Sequence, residues 1–224
     1  MNPLGTPATH WPPTPPVPPE PQPPRSPWLP EARPASPASA SAAVVIGESD
    51  WLAQRLLDQR VVALSGELDD EAANRAIAEL GLLDASGDDP VDLRLSGVTA
   101  DLGVALTLVD ALDLMGAPVH ATCLGTLTGP AVALLAVADR RAAGRHATLH
   151  LCEPGGPHGL PGRELETLAA EHGRQLRRLQ ERMAESCRRT AEELAADMRA
   201  GKLLSTDEAR EYGLVDRAEP SGPL

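Results

Sequence analysis

From residue 60 onward, short apolar runs alternate with longer stretches in which apolar positions recur every three or four residues. Arg60–Ser65 (RVVALS) reads as a buried strand ending at Gly66. Asp69 and Asp70 can cap a helix running to about Leu83, with Ala72, Ala76, Ile77 and Leu80 on one face. Val91–Leu95 reads as a second strand. Asp101–Met115 follows as a mostly apolar helix, stopped by Gly116 and Pro118. Val119–Leu124 is a third strand, Gly129–Ala138 another apolar helix and Ala147–Leu151 a fourth strand. Alternation at this spacing implies βαβ units and a parallel sheet. Candidate chemistry then belongs at strand ends, where loops enter helices.

After a Pro/Gly-rich loop, Glu153–Gly162, comes the longest helical pattern. Leu165, Leu168, Ala169, His172, Leu176, Leu179, Met183 and Cys187 follow a 3–4 spacing, with Arg and Glu on the other faces. Such a stripe can cover the subunit's own core or protrude and pack against another subunit. Thr190–Arg199 reads as a short helix. Ser205-Thr-Asp-Glu208 is a capping box opening a helix that ends at Gly213, and Leu214–Asp216 can close as an edge strand.

The first 42 residues break this pattern. Of the chain's 23 prolines, 15 lie between Pro3 and Pro37. Each removes an N–H donor and fixes φ, so residues 1–42 are expected to be a disordered, polyproline-II-like tail. Its PxxP runs also fit an aromatic-lined groove on a partner. The expected organisation is therefore tail 1–42, one α/β domain over 43–218 and a short C-terminal tail, 219–224. Aromatics make up 2% of the chain and Phe is absent, so Leu, Val and Ala must fill the core.

The net charge of −12 lies wholly outside the tail, where Glu20 and Glu31 balance Arg25 and Arg33. It argues against nucleic acid and against an anionic membrane surface as partners. No apolar run approaches the roughly 18 residues of a membrane span, and no secretory signal is expected. Three cysteines, Cys123, Cys152 and Cys187, suit reduced thiols in a cytoplasm.

Four stretches resemble the proteolytic subunit of the Clp protease, a self-compartmentalising serine peptidase of crotonase-like fold. Arg55–Leu64 resembles the family's opening segment, a short helix running into the first strand. Cys123–Leu135 (CLGTLTGPAVALL) resembles the strand–turn–helix that carries the nucleophile, and Leu149–Pro154 (LHLCEP) the strand that carries the catalytic histidine. Leu204–Asp216 (LSTDEAREYGLVD) is similar to the family's C-terminal signature. The resemblance implies a crotonase-like α/β parallel-sheet fold with a protruding long helix, which in the family forms the contact between stacked heptameric rings.

It also assigns the site positions. The family's nucleophilic Ser matches Gly129, its His matches Cys152 and its Asp matches Asp197. Glycine offers no attacking atom, and a thiol is a poor general base beside an imidazole. One oxyanion donor is the backbone N–H after the nucleophile, matched here by Pro130, which has none. The other comes from a turn matched by Ser96–Asp101, with Thr99 and Ala100 where the family has Gly-Gly. The resemblance thus implies an inactive, degenerate subunit of a cytoplasmic ring, joining other Clp proteolytic subunits and an ATP-dependent unfoldase, with no metal and no cofactor. Two other classes stay open. One is a hydrolase with a displaced nucleophile, using Thr128, or Cys152 with His150 or His146. The other is a stand-alone binding module. His146, His150 and Cys152 are expected to share one strand face.

Overall fold

A computed structural model describes residues 51–156 and 162–218. The expected tails, 1–42 and 219–224, lie outside these residues, as do Pro157–Gly159 of the loop.

Residues 51–58 form a helix, α1, which turns through Gln59 and Arg60 into β1, Val61–Leu68. This is the helix-into-strand opening that Arg55–Leu64 implied. Gly66 does not end the strand. It sits at φ +74 just after a register shift that skips Gly97 of β2, and pairing resumes with Gly66 opposite Val98 and runs on through Glu67 and Leu68. Helix α2, Asp70–Ser86, is capped by Asp69, whose carboxylate accepts the Ala72 N–H at 2.8 Å. Its buried face is Ala73, Ala76, Leu80 and Leu83; Ala72 and Ile77 flank it, half-buried.

Strand β2, Val91–Ala100, is the hub of the sheet. It pairs in parallel with β1, with β3 (Val119–Leu124) and, further along, with β4 (Thr126–Thr128). Helix α3, Leu102–Asp113, packs beside α2. The expected helix over Gly129–Ala138 is shorter. Pro130 and Gly129 begin a 3₁₀ turn, Gly129–Ala131, and the α-helix α4 is only Val132–Ala136. All five residues of α4 are buried, which is why they are all apolar.

Among the described residues the sheet has eight strands in the order β7 (Lys202–Ser205), β6 (Thr148–Leu151), β4, β2, β3, β5 (Arg140–Ala143), β8 (Arg217–Ala218), with β1 on β2. It is mostly parallel, as the alternation required; the β6–β7 pair is antiparallel. Three of its strands lack an apolar run: β4, β5 and β7. The expected edge strand Leu214–Asp216 is corrected: Leu214 and Val215 are buried, and the strand is β8, Arg217–Ala218, on β5. Gly213 ends helix α7, Thr206–Tyr212, at φ +93, and a Cβ there would lie 2.8 Å from the Cys187 carbonyl oxygen.

Helix α5, Gly162–Cys187, splits along its length. Leu179, Met183, Ala184 and Cys187 are buried in the core, whereas residues 163–170 are exposed except for half-buried Leu165. The C-terminal half therefore packs on α3, α4 and α6 (Ala191–Ala200), and the N-terminal half protrudes.

Candidate functional site

The turn from β4 into α4 brings two sequence-matched positions together. Gly129 adopts φ +60, open to glycine and strained for other residues. A Cβ built on it would lie 3.4 Å from the Cys152 Sγ and 3.5 Å from the Cys152 carbonyl oxygen. Cys152 itself stands just beyond β6 and is half-buried. Burial raises its thiol pKa, partly countered by a backbone hydrogen bond at Gly129, so the sulfur is held as a neutral thiol.

Thr99 borders the same turn. It pairs with Thr128, the residue before Gly129, and is exposed, while its neighbour Ala100 is buried opposite Leu68. Pro130 is buried inside the 3₁₀ turn. The backbone N–H that follows the turn, from Val132, points back at the carbonyls of Gly129 and Pro130.

Asp197 comes close to this strand end by another route. Met198 accepts the Glu153 N–H at 3.2 Å, which ties α6 to the residue after Cys152. The Asp197 side chain, however, is occupied by other partners. Lys202 Nζ reaches its two oxygens at 3.0 and 3.1 Å, and the Tyr212 hydroxyl donates at 2.8 Å. Burial opposes ionisation, but these two donors outweigh it and hold the carboxyl below its ordinary range.

The histidines fall differently. His150 is half-buried on β6, opposite Thr128 on β4 and Leu203 on β7. The expectation that His146 shares its strand face is corrected: His146 lies exposed in the turn before β6. Among the described residues no three His, Cys, Asp or Glu side chains are grouped to hold a metal. No described helix is long and apolar enough to cross a membrane.

The Clp protease family model matches residues 47–219 of this chain. The chain belongs to the Clp protease family. An ATP-dependent Clp protease proteolytic subunit-like protein of Streptomyces coelicolor is 34% identical over 175 residues, covering 74% of this chain and 81% of that protein. ATP-dependent Clp protease proteolytic subunit 1 of Corynebacterium glutamicum is 29% identical over 168 residues, covering 73% and 80%. Proteolytic subunit 2 of Corynebacterium jeikeium is 28% identical over 168 residues, covering 73% and 80%. The curled, mostly parallel sheet is consistent with this family.

The partners of Asp197 were not evident from the sequence pattern. Lys202 and Tyr212 are the only lysine and the only tyrosine of the chain, and that rarity was the available signal. Arg189 completes the cluster, stacked 4.0 Å from the Tyr212 ring centroid with its Nε donating to the Tyr212 carbonyl.

Proposed function

We propose that this Clp protease homologue has lost serine peptidase chemistry and serves as a structural or regulatory subunit of a ring. One observation carries the proposal. Gly129, aligned with the nucleophile, abuts Cys152, aligned with the base, and neither supplies the group its position requires. A Ser–His pair needs an attacking hydroxyl within hydrogen-bond reach of an imidazole. Here glycine faces a thiol held neutral by burial. Pro130 removes the N–H that follows the nucleophile, and Thr99–Ala100 replace the second donor turn. The carboxylate of Asp197 is the one triad-matched group that keeps its chemistry.

The packing features, in contrast, are intact. The sheet, the buried half of α5 and its exposed half all persist. The exposed half presents a cleft lined by Arg163, Glu164, Thr167 and Leu168, and this is the element through which the resemblance implies ring stacking. The ring would be cytoplasmic, built with other Clp proteolytic subunits and served by an ATP-dependent unfoldase. Residues 1–42 would be a dispensable tail.

A displaced nucleophile has one structural point in its favour: Thr128 stands directly opposite His150. A fluorophosphonate serine-hydrolase probe, applied to the assembled protein and followed by peptide mapping, separates the two readings. The inactive subunit stays unlabelled. Labelling at Thr128 would establish the displaced hydroxyl, and labelling elsewhere would overturn the loss of activity.

A further inference from the structure

The chain writes 19 of its 20 basic residues as arginine, yet its single lysine and its single tyrosine both converge on Asp197. These three residues come from three consecutive elements: Asp197 from α6, Lys202 from β7 and Tyr212 from the end of α7. The Tyr212 ring is buried, with Arg189 over it and the Lys202 ammonium 5.2 Å from its centroid. Asp197 thus has two donors, and the phenol has cations near its ring to offset the cost of placing a polar aromatic beside a carboxylate.

The triangle is wired to the end of β6. Lys202 pairs in the sheet with Leu151, the residue before Cys152. Met198, next to Asp197, accepts the N–H of Glu153, the residue after Cys152. Gly201, between α6 and β7, comes so near His150 that a Cβ there would lie 3.7 Å from its Nε2. The α6–β7 corner therefore brackets Cys152 on both sides in sequence, and the triangle ties that corner to the far end of α7, beyond the Ser205–Glu208 cap at its start.

We propose that Asp197, Lys202 and Tyr212 form a latch that holds the α6–β7 corner against the end of β6 and thereby keeps Cys152 shielded. The latch is independent of whether the chain is catalytically inert. It gives the Asp197 carboxylate a structural use, as a conformational lock. Opening it by loss of the Asp197 and Lys202 contacts would free the end of β6 without unfolding the sheet, because neither side chain belongs to the hydrophobic core, in which the Tyr212 ring stays packed.

The chain carries its own reporters. Cys123 and Cys187 are buried in the core, and Cys152 is half-buried between Leu151 and Glu153, the two residues whose backbones are held by the α6–β7 corner. Iodoacetamide labelling of the full-length protein, resolved by peptide mass spectrometry, reads all three thiols in one experiment. In Asp197→Asn, Lys202→Met and Tyr212→Phe the Cys152 rate should rise roughly tenfold or more, as expected for losing a charge-assisted hydrogen bond that gates a local opening. Cys123 and Cys187 should remain as slow as in the parent. An unchanged Cys152 rate in Asp197→Asn and Lys202→Met would overturn the latch. So would a parallel rise at all three cysteines, since the triangle would then support the whole fold and no local gate. Arg210→Ala, at an exposed i,i+3 pair with Asp207 on α7, serves as the control and should leave every rate unchanged.

Discussion

Arg60 occupies φ +57, a backbone region that costs a residue with a side chain about 1–2 kcal/mol. Its guanidinium offsets that cost by donating to the carbonyls of Leu83, Gly87, Asp89 and Pro90 and to the Ser86 hydroxyl. It thereby satisfies the end of α2, whose last turn contains no basic residue. Arg60→Ala should lower the unfolding free energy by about 2–3 kcal/mol, since several acceptors lose a charged donor at once. Urea denaturation would show this as a lower midpoint at unchanged slope; an unchanged midpoint would refute it. The contrast with the caps is instructive. Asp69 and Ser205 were legible because each binds a backbone N–H three residues away. Arg60, and Arg141 with its partner Asp216 75 residues away, were not, because only the folded chain brings their acceptors near. Gly129 and Cys152 sit between these cases: their positions followed from motif alignment, and their contact needed the fold.

The buried thiols also act at this scale. Burial pushes Cys123 up to about 12 and Cys187 up to about 11, the latter pulled back slightly by Arg141 and Arg189. Unfolded thiols ionise near pH ~8.5. A raised folded pKa means the contribution is complete below that pH and declines as pH rises from about 8.5 toward the folded values. Stability of the parent should therefore fall above pH ~8.5, and the double substitution Cys123→Ala, Cys187→Ala should flatten that slope. Urea midpoints measured from pH 7 to 10 under reducing conditions decide it; an equally steep slope in the double variant would contradict the assignment.

At the scale of elements, α5 carries two different surfaces on one apolar stripe. Periodicity alone marks Leu165 through Cys187 as a single face, because a helix repeats every 3.6 residues regardless of what covers it. Only the fold shows where the core ends. Leu179 is 0% exposed and Leu168 is 41% exposed. Leu179→Glu should thus unfold the subunit itself, by burying an unpaired charge. Leu168→Glu should instead leave circular dichroism unchanged and disrupt oligomers, which light scattering at micromolar concentration would report. An unaltered oligomer in Leu168→Glu would count against α5 as the assembly contact. The strands hidden from the pattern, β4, β5 and β7, share a cause. They are three or four residues long, and β5 reads RRAA, so backbone pairing with neighbouring strands makes them and not their own composition.

For the whole molecule, parallel topology and family membership were both legible, since alternation fixes one and ordered motifs the other. The division of labour within the molecule was less so. Its scaffold, from the β2 hub to the C-terminal turn at Gly213, is complete, while the Gly129–Cys152 contact lacks both a hydroxyl and an imidazole. Limited proteolysis should trim residues 1–42 and leave a resistant fragment beginning between about Ala35 and Asp50, because a Pro-rich segment buries too little apolar area to offset its ordering entropy. Survival of an intact tail under conditions that cleave a denatured control would contradict the domain division.

The central claim is that this subunit lacks peptidase activity for want of three separate parts, and one measurement addresses it most directly. Turnover of a short fluorogenic peptide is followed for the assembled parent, for Gly129→Ser with Cys152→His, and for that pair with Pro130→Met added. The parent should show no turnover above buffer. The double variant restores nucleophile and base but still lacks an oxyanion donor, a deficit of roughly a hundred- to a thousandfold. It also places a serine at φ +60, at a cost of about 1–2 kcal/mol. Its activity should be measurable and low, and the triple variant, with the N–H returned, should exceed it. Turnover by the unmodified parent would contradict the account.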